Sequence, residues 1–154
     1  AYLKLKALKP SVKIFNSDSP RQPFLNSEVI IGQIWGGEVF MAAAENPNIR
    51  LVYPKEGAIF WMDNLVIPKG ARNVANAYKF INFLLRPDIA KLNCEFIGYA
   101  TPNLRAQQML APAVRGNPAV YPDRATIKKG EFQSDVGDAI LIYEKYWEML
   151  KTDR

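Results

Sequence analysis

Trp61, Met62 and Asp63 stand inside an apolar run that extends from Ile59 to Ile67. Along an extended segment side chains alternate, so Trp61 and Asp63 share one face while Met62 points the other way. A carboxylate in apolar surroundings is costly unless it is paired or solvated. Beside an aromatic ring it makes a receptor for an organic cation, with the carboxylate neutralising charge and the ring adding cation–π attraction. The same three residues also fit a plain surface aspartate at a strand end. Trp35 closes a second apolar run, Glu28 to Trp35, just before Gly36-Gly37. There its indole would either project into a crevice mouth or cap the local core. Tyr99 follows Gly98 beyond a helix end, where it could offer ring and hydroxyl to a ligand or simply pack. Gln133, ahead of the last helix, reads by default as a solvated polar residue, and Ser17, within Asn16-Ser17-Asp18-Ser19-Pro20, as a turn residue.

The residue inventory narrows the chemistry. Histidine is absent, which removes the commonest general base and transition-metal ligand. Cys94 is the single cysteine, so no intrachain disulfide or cysteine metal cluster is expected; it reads as a small core hydrophobe. No metal or cofactor is called for. A hydrolase would need paired carboxylates such as Asp63 with Glu38 or Asp135, and nothing in the sequence brings such a pair together. The net charge of +5 would permit binding to nucleic acid. Its basic residues are scattered, however, and the densest cluster, Lys128-Lys129, is followed at once by Gly130-Glu131, so no nucleic-acid partner is expected. One rival binding chemistry stays open. Gly36-Gly37 ahead of a helix could present backbone N–H groups to a small anion.

These candidates need elements to hold them. Helix signals cover Ala1 to Leu8, Glu38 to Glu45, a stretch after Asn73, Asp88 to Ile97 with Gly98 as the stop, and Asp135 to Lys151. The last of these is expected to bury Val136, Ala139, Ile140, Tyr143, Trp147 and Leu150. Strand signals cover Val12 to Phe15, Glu28 to Trp35, Arg50 to Tyr53 and Ile59 to Ile67, the second reading as a strand buried on both faces. The stretch holding Pro112, Pro118 and Pro122 reads as loop. Strands alternating with helices indicate an α/β fold with a mainly parallel sheet. No apolar run approaches the roughly 20 residues that cross a bilayer. The first ten residues carry Lys4, Lys6 and Lys9 without a leader pattern, so the chain is either cytoplasmic or has its leader upstream.

Taken in order, several motifs change this picture: I-W-G-G at Ile34 to Gly37, Y-P-K-E-G at Tyr53 to Gly57, F-W-M-D at Phe60 to Asp63, N-F-L-L-R-P-D at Asn82 to Asp88 and I-G-Y-A-T-P-N at Ile97 to Asn103. Tyr121-Pro122, K-G-E-F-Q at Lys129 to Gln133 and D-V-G at Asp135 to Gly137 continue the series. Together they resemble the spermidine/putrescine-binding proteins of bacterial ABC transporters, over essentially the whole chain. The resemblance implies a two-lobed periplasmic-binding-protein-like (type II) α/β architecture, incomplete because only the C-terminal half is present. Residues 1–57 would form a first-lobe segment, 58–108 a second-lobe segment, and 109–154 a return to the first lobe with the C-terminal helix. It implies a non-enzymatic, periplasmic receptor that binds spermidine and/or putrescine in an aromatic and acidic cleft between lobes. Trp35, Trp61 and Tyr99 would wall the ligand channel, Asp63 would pair with an ammonium group, and Ser17 and Gln133 would hydrogen-bond. Implied partners are the polyamine, the membrane permease subunits of an ABC transporter, and the missing N-terminal half. Trp61-Met62-Asp63 with G-Y-A-T-P-N resembles the spermidine-preferring branch more than the putrescine-specific one.

Overall fold

The computed structural model describes residues 1–152. In chain order its helices are α1 (Tyr2–Leu8), α2 (Gln22–Leu25), α3 (Gly36–Glu45), α4 (Val74–Leu84), α5 (Pro87–Ile97), α6 (Leu104–Met109), α7 (Pro112–Arg115), α8 (Arg124–Lys129) and α9 (Ile140–Thr152). Two short strands, β1 (Ile59–Phe60) and β2 (Glu131–Phe132), pair in parallel with Ile59 opposite Glu131 and Phe60 opposite Phe132. The chain forms two compact units. One joins Ala1–Pro20 to the residues from Gln133 onward, and the other is Arg21–Phe132.

In the first unit α1 lies against α9. Tyr2 meets Tyr146 with ring centroids 5.2 Å apart, and Phe15 meets Trp147 edge-on at 5.3 Å. The Lys9 ammonium donates to the Leu150 carbonyl in the last turn of α9. Of the six residues expected to be buried along this helix only Leu150 is, while Ile140, Tyr143 and Trp147 stay exposed. Within this unit a single seven-residue helix covers the apolar stripe, which leaves most of it open. The helix also begins later than expected. Asp135 accepts a hydrogen bond from the Gly137 N–H at 2.9 Å, and Gly137 turns through φ 52°, so the backbone is helical only beyond it.

The second unit is organised around α5 and α6. Pro87 opens α5, where its missing N–H costs nothing, and Gly98 ends it in the left-handed conformation at φ 74°. Cys94, Leu110 and Val120 form the buried core, with Phe40, Val114 and Tyr121 packed against them. Cys94 is therefore the small core hydrophobe expected of it. The stretch read as loop contains three short helices, each with a capping signal. Asn103 accepts from the Ala106 N–H at 3.1 Å ahead of α6, Pro112 opens α7, and Asp123 accepts from the Thr126 N–H at 2.7 Å ahead of α8.

The expected strands are the main correction. Val12 to Phe15, Glu28 to Trp35 and Arg50 to Tyr53 form no strand, and of Ile59 to Ile67 only the first two residues enter a ladder. The run expected to be buried on both faces leaves Ile30 98% and Ile31 85% exposed. A strand satisfies its backbone only through a neighbour. Among the described residues these runs have no partner strand beyond the two residue pairs of β1 with β2, and many of the apolar side chains that would face a sheet and its covering layer stand in the open.

Candidate functional site

Trp61 and Tyr99 meet edge to face, with ring centroids 5.9 Å apart and planes at 71°. Aromatic pairs favour this arrangement. Two glycines bring Tyr99 there. Gly98 turns the chain out of α5, and Gly37, in the first turn of α3, receives the Tyr99 ring so closely that a Cβ at Gly37 would overlap it. A Cβ at Gly98 would in turn lie 2.9 Å from both the Gly37 carbonyl oxygen and the Phe40 ring. The start of α3 and the end of α5 thus touch through backbone, and the aromatic side chain follows from that contact.

Two carboxylates act electrostatically on the same spot. Burial pushes the Tyr99 phenol above its ordinary value, and the negative charges of Glu38 and Asp63 add to the effect. Both carboxylates therefore act on one hydroxyl, but they differ in engagement. Glu38 lies 3.6 Å from the Arg21 guanidinium. Asp63 is exposed and, among the described residues, makes no hydrogen bond or salt bridge. A carboxylate with spare acceptor capacity beside two ring systems can take an alkylammonium, its charge on the carboxylate and its methylenes on the rings.

Trp35 occupies the N-cap position of α3 in extended conformation and is 43% exposed, so it is not sealed into a core. Among the described residues its ring pairs with neither Trp61 nor Tyr99; its link to them is through Gly37, two positions on, under the Tyr99 ring. Ser17 and Gln133 belong to the other unit and are exposed there. Ser17 sits in a turn closed by the Asn16 side chain, which accepts from the Asp18 and Ser19 N–H groups, as turn chemistry predicts. Gln133 directly follows β2.

Some supporting residues escaped the sequence reading. Gly36-Gly37 suggested an anion cradle; where side chains would start, the pair receives the Ala119 carbonyl oxygen at Gly36 and the Tyr99 ring at Gly37, so it also serves close packing. Tyr121 was noted only as part of a motif, yet its hydroxyl accepts from the Thr101 N–H at 3.2 Å, two residues beyond Tyr99. A recess of about 260 Å³ lies elsewhere on this unit, lined by Tyr53, Lys55, Asp123 and Lys129, among others; none of the expected site residues lines it. Trp35 and Trp61, 43% and 38% exposed, both reach solvent.

Known proteins resemble the chain over its whole length. Over all 154 residues the chain is 53% identical to the spermidine/putrescine-binding periplasmic protein of Escherichia coli and 52% identical to that of Salmonella typhimurium, covering 44% of each. The chain thus spans less than half the length of these relatives. A solved structure, described as a putative spermidine/putrescine ABC transporter from Listeria monocytogenes, superposes with a TM-score of 0.85 at 32% identity, covering 99% of this chain and 48% of that one. The fold is accordingly the incomplete type II periplasmic-binding-protein architecture, with mixed helix and strand. Residues 1–122 match the family described as bacterial extracellular solute-binding protein, and the chain belongs to that family.

Proposed function

We propose that this chain is the C-terminal portion of a polyamine receptor that delivers spermidine or putrescine to an ABC importer outside the cytoplasmic membrane. The observation that carries this reading is the edge-to-face Trp61–Tyr99 pair, with the exposed carboxylate of Asp63 acting on the Tyr99 hydroxyl and making no hydrogen bond or salt bridge among the described residues. The relatives at 52–53% identity are named for the same ligands. In this reading Asp63 takes a ligand ammonium, Trp35, Trp61 and Tyr99 contact the aliphatic backbone of the polyamine, and Ser17 and Gln133 add hydrogen bonds. Residues 1–57 and 109–154 serve one lobe and 58–108 the other. No step of bond making or breaking is involved.

Magnitudes say what the chain can do alone. A cation–π contact contributes about 0.5–2 kcal/mol, and micromolar binding requires about 8 kcal/mol. Three rings and one carboxylate supply roughly half of that, so the isolated chain should hold spermidine only at about millimolar strength. A receptor of the relatives' full length carrying these residues should bind it far more tightly. There Asp63→Asn should weaken binding about a hundredfold or more while leaving the melting temperature nearly unchanged. The test is calorimetry, with a thermal-shift panel of polyamines and small anions beside it. Stabilisation by anions alone, or an Asp63→Asn variant that binds spermidine as the parent does, would refute the proposal.

A further inference from the structure

The segment Asn117 to Tyr121 meets the backbone on both sides of the aromatic cluster. At one end the Ala119 carbonyl oxygen fills the space that a Cβ at Gly36, the residue after Trp35, would take. At the other the Tyr121 hydroxyl accepts from the Thr101 N–H at 3.2 Å and lies 3.9 Å from the Cys94 sulfur, one turn before α5 ends at Gly98. The segment itself is held firmly. The Asn117 carbonyl accepts from the N–H groups of Val120 and Tyr121 at 3.0 and 2.8 Å, the Asn117 side chain accepts from the Ala119 N–H at 2.9 Å, and the Tyr53 hydroxyl donates to the Pro118 carbonyl at 2.9 Å. Val120 is buried in the core, with the Tyr121 ring packed beside it.

The consequence for Tyr99 is mechanical. Its backbone leaves α5 through Gly98 in the left-handed region, and glycine, lacking a Cβ, resists departure from that conformation less than other residues do. Thr101 is the first residue after Tyr99 whose N–H is tied to another element. Without that tie, Tyr99 is held by its own packing on Gly37 and Trp61 and by the close approach of Gly98 to Gly37 before it. The geometry points to Tyr121 as a positioning residue for ligand binding: its hydroxyl, in the bracket Asn117 to Tyr121, fixes the Tyr99 ring relative to the Trp35–Gly37 corner. It does not touch the ligand. This inference rests on the receptor reading for its effect on affinity, but not for its effect on the loop.

The test uses a receptor of the relatives' full length and the variant Tyr121→Phe, which keeps the core ring and removes only the hydroxyl. Calorimetry with spermidine should show binding weakened about tenfold by Tyr121→Phe, but less than about twofold when the same change is made on a Tyr99→Ala background, since the coupling exists only through Tyr99. A change that merely loosened the fold would cost the same in both backgrounds. Equal losses, or no loss in the parent, would overturn the assignment. Amide hydrogen exchange supplies a ligand-free readout: the Thr101 amide should exchange about tenfold faster or more in Tyr121→Phe, with the α5 amides before Gly98 unchanged. Unaltered Thr101 exchange overturns the bracket whether or not spermidine binds. If the parent receptor ignores spermidine, the receptor reading falls, and the exchange data alone decide the role of Tyr121.

Discussion

Two regions of the Arg21–Phe132 unit, close in composition, end up in opposite states. The stretch from Pro87 to Tyr121 closes on itself around Cys94, Leu110 and Val120. The runs Glu28 to Trp35 and Phe60 to Ile67 are at least as apolar, yet Ile30, Ile31 and Val66 are 98%, 85% and 77% exposed. The difference lies in where each backbone finds its hydrogen bonds. A helix completes its own and needs a neighbour only for its apolar stripe. An extended run needs a neighbour for backbone and side chains alike. The first region is therefore finished within the chain, and the second is half of an arrangement.

The largest effect this contrast predicts is in amide exchange. In the isolated chain, amides of 30–35 and 61–67 should exchange at close to unfolded rates, while those at the centre of α5 are slowed by several orders of magnitude. Equal protection in both regions would break the contrast. In a chain of the relatives' full length the two runs should become as protected as α5. Next in size is a pair of substitutions. Leu110→Ala should lower the unfolding free energy of the isolated chain by about 2–5 kcal/mol, whereas Ile30→Ala should stay within about 0.5 kcal/mol. Denaturant titration of both variants measures this, and a large cost at Ile30 would mean that the run has already found a partner. The smallest effect is alkaline. Tyr99 and Tyr121, on the packed side, have phenols raised above the ordinary value, first by burial. The neutral form is favoured in the folded state, so their contribution is complete below the unfolded value near 10 and is lost as pH rises through the higher folded value. Absorbance titration should find late-ionising phenols among the seven tyrosines; Tyr121→Phe should remove one of them.

The same division governs what the sequence made legible. Helix ends were readable because their signals are local: Pro87 and Gly98 frame α5 as expected. The caps Asn103 and Asp123 were equally local, and were passed over only because the prolines around them suggested loop. Strand runs were recognisable as apolar segments, but whether they pair depends on residues far away, which periodicity does not report. Trp61 and Asp63 were picked out by alternation along a strand, and although that strand ends at Phe60, both residues still act at Tyr99, one by ring contact and one by charge. Their meeting with Tyr99 could not be read from spacing, because it depends on two glycines touching across separate helices. The role of Tyr121 was likewise invisible, since a tyrosine hydroxyl that holds a loop looks in sequence like any core tyrosine.

The parallel ladder of β1 with β2 joins Ile59–Phe60 to the far end of the second unit's sequence. Everything from α4 to α8 lies inside the loop it closes. Closing so long a loop for two residue pairs is entropically expensive, so the pairing should form late in folding and open early under stress. During that interval the backbone groups of Phe60 and Phe132 are bare templates, and any extended segment that arrives first can dock there. A newly made chain would thus be most exposed to mispairing with its copies at the step just before completion, and a chaperone that shields this edge would raise its yield more than one that shelters the helices.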